Sequence, residues 1–414
     1  MIRPLYSLVV IGAQPLLRRK LRRRGKAEPG YLEHVDERFG RYHSPTEPGR
    51  LWVHAVSLGE TRAAAILIDA LRQAKPDVRI LLTHGTATGR AEGKRLLREG
   101  DAQAWLPWDT PRAVRGFLEH FRPGAGVLME TEVWPNLSAA CAARGIPLAL
   151  ANARLSEKSL SQARRLARLS RPAYGSLGAV WAQSEDDARR LAVAGATVQG
   201  IFGNLKYDAA PDPAQIAQGR DWRSTSSRPV VMFASSREGE ETEFLRAIVQ
   251  HRDVQWLLVP RHPQRFDEVA ALVAQSGHTV ARRSTWSESP APADVWIGDS
   301  LGEMALYYGL SDVALLGGSF AKLGGQNLIE AAACACPIVM GPHTFNFSEA
   351  AELALAAGAA RRVGSMEEGV AEAVALARDA EARLRASGAS ERFAAAHRGA
   401  AKRTAEAVLA LLPA

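Results

Sequence analysis

One glutamate directly follows an apolar run at the start of a predicted helix, in the stretch HAVSLGET (residues 54–61). Glu60 lies in the first turn of this helix, where the partial positive charge of the helix N-terminus stabilises a carboxylate. We therefore expect Glu60 to stay ionised at neutral pH and to accept a proton from a substrate. Carboxylates are common in the first turns of ordinary helices, so Glu60 alone does not identify a reaction.

Other polar side chains follow apolar runs in the first half of the chain. METEVWPNL contributes the carboxylates of Glu130 and Glu132, while ANARLS and GNLKYD contribute Asn152, Arg154 and Lys206. Cationic and amide groups of this kind bind the phosphates or the carboxylate of an acidic substrate. These five residues are candidates for contacts with such a substrate.

Four turns in the second half have the composition of a nucleotide-binding site. They contain Ser235 and Ser236; Arg261 and His262; Leu301, Gly302 and Glu303; and Asn327, Leu328, Ile329 and Glu330. Hydroxyl and backbone N–H groups bind anions, arginine binds phosphate, and glycine lets a ligand approach the backbone. The Glu330 carboxylate is suited to accept hydrogen bonds from ribose hydroxyls. Each turn alone is more often structural, but four turns on one sheet favour a nucleotide pocket.

Several common motifs are absent from the sequence. No GxGxxG follows the first predicted strand, and there is no GxxxxGK or DxD motif, which argues against a dinucleotide fingerprint, a P-loop and the acidic pair that commonly holds a metal against a sugar diphosphate. The three cysteines form neither a disulfide framework nor a four-ligand metal pattern. We expect no metal, no cofactor and a reducing compartment.

Positive charge is concentrated at the N-terminus. The formal net charge is +8, and residues 1–26 contain eight basic side chains and no acidic one. The apolar run PLYSLVVIGAQPLL is shorter than the roughly 20 residues of a bilayer span. An apolar wedge followed by cations predicts a short membrane anchor, with its basic flank against anionic lipid on the cytoplasmic side. The alternative is a buried helix with a solvated basic tail; nucleic acid ranks below both, because no aromatic residues interleave with the basic ones.

The elements that must position these groups alternate between short apolar runs and helical patterns. The runs predicted as buried parallel strands are LWVHAV, VRILLT, AGVLME, PLALANA, AVWAQS and VQGIFG, followed by VVMFASS, VQWLLVP, DVWIGDS, DVALLGGS and PIVMG. We therefore predict an α/β protein with two doubly wound, Rossmann-like domains that face each other across a cleft.

Composition divides the 414 residues into four segments. Residues 1–26 are the anchor, 27–207 an N-terminal domain that contains the candidates for substrate contacts, 208–228 a linker rich in Pro and Ser, and 229–414 a C-terminal domain that contains the four predicted nucleotide-binding turns. The last helix belongs to the second domain or, alternatively, returns to pack on the N-terminal domain.

Six motifs together resemble a known family. HAVSLGE, METEVWPNL, ANARLS, VPRHP, GGQNLIEAA and MGPHTFNF, in this order, are similar to the 3-deoxy-D-manno-octulosonic acid (Kdo) transferases of lipid A assembly. The similarity runs from the N-terminal anchor to about residue 350. It implies a GT-B glycosyltransferase that moves Kdo from CMP-Kdo to the glucosamine disaccharide of a lipid A precursor, with inversion and without a metal. It also implies a location on the cytoplasmic side of the inner membrane.

The resemblance assigns roles to individual positions. Glu60 matches the family's catalytic base. The matching CMP-binding positions are Arg261, His262, Leu301, Gly302, Glu303, Asn327, Leu328, Ile329 and Glu330. Ser235 and Ser236 are added to this set on physical grounds alone.

Two other functions remain open at the level of sequence. A GT-B relative that uses a UDP-sugar, either a lipid glycosyltransferase or a sugar-nucleotide epimerase, has the same fold and a similar Gly-rich loop. A non-enzymatic membrane scaffold is the third interpretation, and it predicts no response to nucleotides.

Overall fold

The computed structural model describes residues 2–412, which form two compact units. The first unit contains the described residues up to Asp208 and those from Arg398 onward, and the second is Ala209–His397. Met1, Pro413 and Ala414, which the predicted domain ranges include, lie outside the described residues.

A seven-stranded parallel sheet forms the centre of the first unit. Its strands are β1 (Leu51–His54), β2 (Ile80–His84), β3 (Ala102–Trp105), β4 (Ala125–Met129), β5 (Leu148–Ala153), β6 (Ala179–Ala182) and β7 (Gly200–Ile201). Their order in the sheet is β3-β2-β1-β4-β5-β6-β7. From β1 the chain adds strands toward one edge of the sheet, and from β4 it adds strands toward the other edge. The strand order therefore reverses between the neighbours β1 and β4.

Helices cover both faces of this sheet. In chain order, the helices of the first unit up to residue 194 are α1 (Ile2–Gly12), α2 (Gln14–Ala27), α3 (Leu58–Ala74), α4 (Ala87–Lys94), α5 (Pro111–Phe121), α6 (Pro135–Ala143), α7 (Glu157–Arg165), α8 (Ala167–Gly175) and α9 (Glu185–Ala194). Short 3₁₀ helices span Pro29–Leu32, Val35–Phe39 and Leu205–Asp208. Successive residues of β1 point to opposite faces: Val53 belongs to one core cluster with Leu67, and Trp52 to the other with Phe117.

The second unit repeats the same plan with a second seven-stranded parallel sheet. Its strands are β8 (Val230–Ser236), β9 (Gln255–Pro260), β10 (Val280–Arg282), β11 (Val295–Ile297), β12 (Val313–Leu316), β13 (Ile338–Met340) and β14 (Ala360–Arg362). Their order is β10-β11-β9-β8-β12-β13-β14, so the reversal falls between β8 and β12.

The helices of the second unit extend to residue 396. They are α10 (Pro213–Thr225), α11 (Glu240–Ala247), α12 (Phe266–Gln275), α13 (Met304–Leu310), α14 (Leu328–Ala333), α15 (Ser348–Ala356), α16 (Met366–Arg378) and α17 (Ala380–Ala396), with 3₁₀ turns at Pro263–Arg265 and Arg283–Thr285. The segment 208–228, predicted as a linker, thus contains the helix α10, which packs against α13.

A final helix, α18 (Ala400–Leu409), returns to the first unit. It packs against α3, and its buried residues Ala400, Ala401, Ala405 and Val408 belong to the same core cluster as Leu67. The first unit is therefore completed by residues from both ends of the chain.

The predicted anchor consists of two helices, α1 and α2. None of the helices among residues 2–412 has the length and apolar character needed to span a bilayer. In α1, Leu5, Leu8 and Val9 each expose more than 60% of their surface, whereas Ser7 is buried. The helix therefore has an apolar outer face and a polar contact with the rest of the unit.

Candidate active site

The first candidate region lies at the carboxyl ends of β1 and β4. In a doubly wound sheet the crevice at the reversal of strand order is the usual ligand site. The residue Glu60 belongs to α3, which follows β1, and Glu130 directly follows β4. The topology therefore brings the two predicted carboxylates to the same end of the sheet.

Glu60 takes part in the N-terminal cap of α3. The backbone N–H of Glu60 donates to the Ser57 hydroxyl at 3.4 Å, while the Glu60 carboxylate accepts from the backbone N–H of Val56 at 2.6 Å and from the Ser57 hydroxyl at 3.3 Å. This reciprocal arrangement fixes the side chain in the first turn. Its orientation is thus determined by the local backbone.

Burial raises the pKa of the Glu60 carboxyl above its ordinary value. The nearby Glu130 carboxylate raises it further, whereas the Val56 hydrogen bond, the Ser57 hydroxyl and Arg154 lower it. The helix N-terminus alone favours the ionised form, so the net upward shift means that desolvation outweighs it here. A carboxylate whose pKa lies closer to neutrality is a stronger base in its ionised form.

Glu130 is a buried anion with two cationic partners. Its carboxylate accepts from Arg154 Nε at 2.8 Å and lies 4.0 Å from Lys206 Nζ. The side chain of Glu130 is only 5% exposed, whereas that of Arg154 is 56% exposed. The ion pair therefore holds Arg154 in place while leaving much of its surface open to a ligand.

Glu132 and Asn152 lie in the same region. Burial raises the pKa of Glu132 to about 7, and the negative charge of Glu60 adds to this shift. Asn152 is buried; its Oδ1 accepts from the backbone N–H of Leu205 at 3.0 Å, but its Nδ2 has no hydrogen-bond partner among the described residues. The first unit thus gathers all six of its predicted site residues at one end of the sheet.

Three predicted site residues have left-handed backbone conformations. The φ angles are 59° at Glu130, 51° at Asn152 and 56° at Ser235. Non-glycine residues adopt positive φ only at an energetic cost, and such residues cluster at functional sites. All three lie at or next to the carboxyl ends of strands β4, β5 and β8.

In the second unit, Ser235 and Ser236 end β8, beside the reversal of strand order. Ser236 is buried, and its hydroxyl donates to Glu241 at 2.9 Å. Glu241 in turn accepts from Arg265 Nη1 at 2.7 Å. The Ser236 hydroxyl is therefore engaged inside the unit, and Ser235 is the more exposed of the two serines.

The turn after β9 is strongly cationic. Arg261 and His262 are both exposed, and Arg261 Nε donates to Gln326 Oε1 at 3.1 Å. Partial desolvation by the surrounding loops and the neighbouring cations Arg237, Arg261 and Arg265 lower the pKa of His262. The His262 imidazole is consequently neutral at pH 7, beside several permanent positive charges that suit an anionic ligand.

Residues 301–303 follow β11 and form a separate turn. Leu301 is 76% exposed, and Gly302 has a φ of 81°. Glu303 accepts from Arg283 Nη2 at 2.8 Å and also from the hydroxyl of Ser300. Gln215 Nε2 of α10 also donates to the Gly302 carbonyl oxygen at 2.9 Å, so this turn is held by its neighbours Ser300 and Arg283 and by α10.

The Gly-rich segment after β12 leads into α14. The side chain of Asn327 caps this helix, with Oδ1 accepting from the backbone N–H of Ile329 at 3.2 Å. Gly324 has a φ of 88°, and a Cβ there would lie 2.5 Å from the side chain of Asn346. Glycine is therefore required for the close approach of the segment containing Asn346. Leu328 and Ile329 are buried, whereas Glu330 is partly exposed.

Glu240 is a residue of the candidate site that the sequence did not indicate. It is 1% exposed, and its carboxylate accepts from the backbone N–H groups of Arg237, Gly318, Phe320 and Ala321 at 2.8–3.2 Å. This one side chain joins the turn after β8 to the loop after β12. Its only sequence signal was a glutamate-rich start of α11, which is typical of any helix N-terminus.

No cluster of three or more His, Cys, Asp or Glu side chains suited to a metal ion is present in residues 2–412. The two parallel, doubly wound sheets, each with candidate residues at its reversal point, define the fold class of the protein, the GT-B fold of two Rossmann-like units. A solved structure of this fold, Anabaena Alr3699/HepE in complex with UDP, aligns with 88% of this chain and all of that chain, with a TM-score of 0.57 and 15% identity. This likeness is one of fold alone.

Comparisons of sequence define the family. The family model for 3-deoxy-D-manno-octulosonic-acid transferase (kdotransferase) matches residues 33–209. A 3-deoxy-D-manno-octulosonic acid transferase of Bordetella pertussis is 46% identical, over 98% of both chains. One from Haemophilus influenzae is 32% identical, over 96% of both chains. The chain belongs to the Kdo transferase family, as its motifs predicted.

Proposed function

We propose that this chain transfers Kdo from CMP-Kdo to the glucosamine disaccharide of a lipid A precursor, lipid IVA, with inversion and without a metal ion. The observation that carries the proposal is the placement of Glu60. Its carboxylate is fixed by the α3 cap at the reversal point of the first sheet, with a pKa raised by burial. Membership of the Kdo transferase family supports the type of sugar transferred.

In the proposed reaction, Glu60 acts as the general base. It takes the proton from an acceptor hydroxyl as that oxygen attacks the anomeric carbon of Kdo. The new carbon–oxygen bond forms on the face opposite the phosphate, and the bond between the anomeric carbon and the phosphate oxygen breaks. CMP leaves with that electron pair, and the proton remains on Glu60. A single displacement of this kind inverts the anomeric configuration.

The second unit is proposed to hold the CMP moiety. Arg261, beside Gln326, supplies permanent positive charge for the phosphate, and the neutral His262 supplies a hydrogen-bond donor. Glu330 is assigned to the ribose hydroxyls. The proposed CMP set is completed by Ser235, Ser236, Leu301, Gly302, Glu303, Asn327, Leu328 and Ile329. The observed packing supports a positioning role for the buried members, such as Ser236.

The first unit is proposed to hold the acidic groups of the acceptor or the carboxylate of the donor. Arg154 is fixed by Glu130 but remains half exposed, which suits binding of a phosphate or carboxylate. Lys206 adds a second cation next to Glu130, while Glu132 and Asn152 border the same region. The exposed apolar face of α1 and the basic helix α2 are proposed to hold the chain on the cytoplasmic face of the inner membrane.

Nucleotide specificity tests the proposed donor. The experiment is thermal unfolding of the full chain with CMP, CDP, UMP or UDP. Any ligand that binds only the folded state and is present at about 100 times its Kd stabilises that state by about 2.7 kcal/mol. We expect CMP to give the largest rise in Tm, and acceptor to be required for release of CMP from CMP-Kdo. A larger rise with UDP than with CMP would contradict the donor assignment.

A further inference from the structure

A second basic cluster lies far from the N-terminus in sequence. The region 158–171 contains the basic residues Lys158, Arg164, Arg165, Arg168 and Arg171, and no acidic residue occurs between 158 and 184. All five side chains are exposed, and none forms an ion pair within residues 2–412. By contrast, the nearby Arg190 has three acidic partners, Glu157, Asp186 and Asp187. The cluster is therefore an uncompensated patch of positive charge.

An exposed apolar residue lies within this patch. Leu166, at the junction of α7 and α8, exposes 60% of its surface between Arg165 and Arg168. A leucine surrounded by arginines has the chemistry of a surface that inserts a side chain at the level of lipid headgroups. A surface that binds only soluble anions does not need the exposed leucine.

The fold places this patch beside the apolar helix α1. Helix α1 packs against α6 and α8 as well as α2. Its inward contacts include two polar ones: the Ser7 hydroxyl donates to Asn136 Oδ1 at 3.1 Å, and the Tyr6 hydroxyl hydrogen-bonds to Asp109. These contacts turn Leu5, Leu8 and Val9 outward, as their exposure shows. An apolar helix is thus flanked by basic residues from two distant parts of the chain.

We propose that the segment 158–171 is a second membrane-binding surface that docks on an anionic bilayer alongside α1 and α2. This inference rests on the proposed membrane association of the N-terminal helices and extends it. Each Lys or Arg close to an anionic lipid surface strengthens binding by about fivefold. Two separate basic segments, both in helices that contact α1, restrict the rotation of the first unit on the bilayer, which a single anchor helix does not.

Vesicle co-sedimentation of the full chain tests this proposal. The variant is R164Q/R165Q/R168Q/R171Q, and the matched control is R220Q/R246Q/R252Q/R392Q, which removes four exposed arginines of the second unit. Vesicles of phosphatidylcholine with phosphatidylglycerol are compared with vesicles of phosphatidylcholine alone. We expect the first variant to lose at least ~10-fold in affinity for the anionic vesicles, while the control stays within about twofold of the wild type.

A second substitution removes the apolar contact without changing charge. Leu166→Ser is expected to weaken binding to the anionic vesicles by about threefold or more, with an unchanged Tm, because one exposed apolar side chain no longer inserts. If this variant and the arginine variant both bind as the wild type does, the second surface does not exist.

The outcomes separate this inference from the membrane association on which it rests. If the wild type binds neither kind of vesicle, the N-terminal anchor itself is refuted, and the second surface with it. If a variant with Leu5, Leu8 and Val9 changed to Ser loses binding and the arginine variant does not, only the second surface is refuted. If the arginine variant binds vesicles normally but needs more of a phosphorylated acceptor in detergent for half-maximal rate, the patch binds substrate phosphate and the inference is overturned.

Discussion

Glu60 experiences opposing electrostatic effects at the start of α3. Its removal from water disfavours the anion, while the Val56 N–H and the nearby Arg154 favour it. Because the first effect is larger, its pKa rises toward the range where a carboxylate is most useful as a base. The hydrogen bonds of the cap keep the side chain in position while it changes its protonation state.

Replacing Glu60 by Gln tests the base. The Gln side chain retains an oxygen that can accept from the Val56 N–H, so the cap of α3 is preserved. We expect transfer to fall by about 10²–10⁴-fold, the usual contribution of a general base, while the rise in Tm with CMP stays unchanged. Release of CMP from CMP-Kdo in the presence of acceptor measures the rate.

Glu185→Gln is the matched control for this substitution. Glu185 also lies in the first turn of a helix of the same unit, but it is exposed and outside the candidate site. The control should keep the wild-type rate. Transfer by E60Q at a rate comparable to that of the wild type would remove Glu60 from the role of base.

The raised pKa of Glu132, about 7, makes stability depend on pH. The folded state binds the Glu132 proton more tightly than the unfolded state, in which the pKa of this carboxyl is near 4.5. The stabilisation that comes from this protonation is therefore complete below pH 4.5 and is lost as the pH rises to 7 and above. Glu132→Gln should therefore raise the free energy of unfolding by on the order of 2 kcal/mol at about pH 8. At a pH near 4.5, the ordinary pKa of glutamate, this difference in the free energy of unfolding between the variant and the wild type should vanish.

Urea denaturation of the E132Q variant and the wild type at both pH values measures this difference. The E185Q variant should show no such pH-dependent difference, because Glu185 is exposed. A difference of the same size at both pH values would mean that Glu132 is not protonated within this range.

At the scale of elements, the loop after β12 depends on Glu240. Four backbone N–H groups donate to this single buried carboxylate, so the loop and the turn after β8 share one acceptor. A hydrogen bond to a charged group contributes about 1.5–3 kcal/mol, and a buried group left without a partner is costly. Glu240 is therefore a positioning residue for the proposed CMP site.

Glu240→Gln should disturb both loops, because the amide replaces one acceptor oxygen with a donor that faces backbone N–H groups. We expect a loss of about 2–3 kcal/mol of stability and at least ~10-fold weaker CMP binding by calorimetry. Glu243→Gln, an exposed change on the same helix, should alter neither. Unchanged CMP affinity in E240Q would show that these loops do not form the CMP site.

The sequence predicted the central strands of both sheets but missed three at the edges. The missed strands are β3, β10 and β14, with the sequences AQAW, VAR and ARR. Central parallel strands are buried on both faces and therefore appear as continuous apolar runs. An edge strand has polar or arginine residues where it meets solvent, so these three short segments lack that signal.

In the candidate site, too, the sequence predicted some features and missed others. Glu60 and Arg261 could be predicted because each belongs to a motif that lies between a strand and the following helix. The contacts of Glu240 and Ser236 could not be predicted, because they depend on long-range packing that joins separate loops. The upward shift of the Glu60 pKa was equally invisible, since the local helix effect has the opposite sign and burial is a property of the folded unit.

At the scale of the whole molecule, the C-terminal helix α18 stabilises the unit that contains Glu60. Val408 is fully buried in the core cluster that also contains Leu67. Val408→Ala should lower the free energy of unfolding of the first unit by about 1–3 kcal/mol, because two buried methyl groups are lost. The transition that CMP stabilises should not shift.

Val193→Ala provides the comparison, since Val193 lies in the same unit but is 41% exposed. We expect it to change stability by less than about 0.5 kcal/mol. Thermal unfolding with and without CMP distinguishes the two transitions. A shift of only the CMP-sensitive transition in V408A would contradict the assignment of α18 to the first unit.

Mass spectrometry of the acceptor tests the central claim most directly. A tetraacylated lipid A precursor is incubated with the full chain in detergent, together with Kdo, CTP and a CMP-Kdo synthetase, and with E60Q in parallel. We predict an acceptor heavier by whole Kdo units with the wild type, and unchanged acceptor with E60Q. An unchanged acceptor with folded wild-type protein whose Tm rises with CMP would contradict the proposed transfer to this lipid.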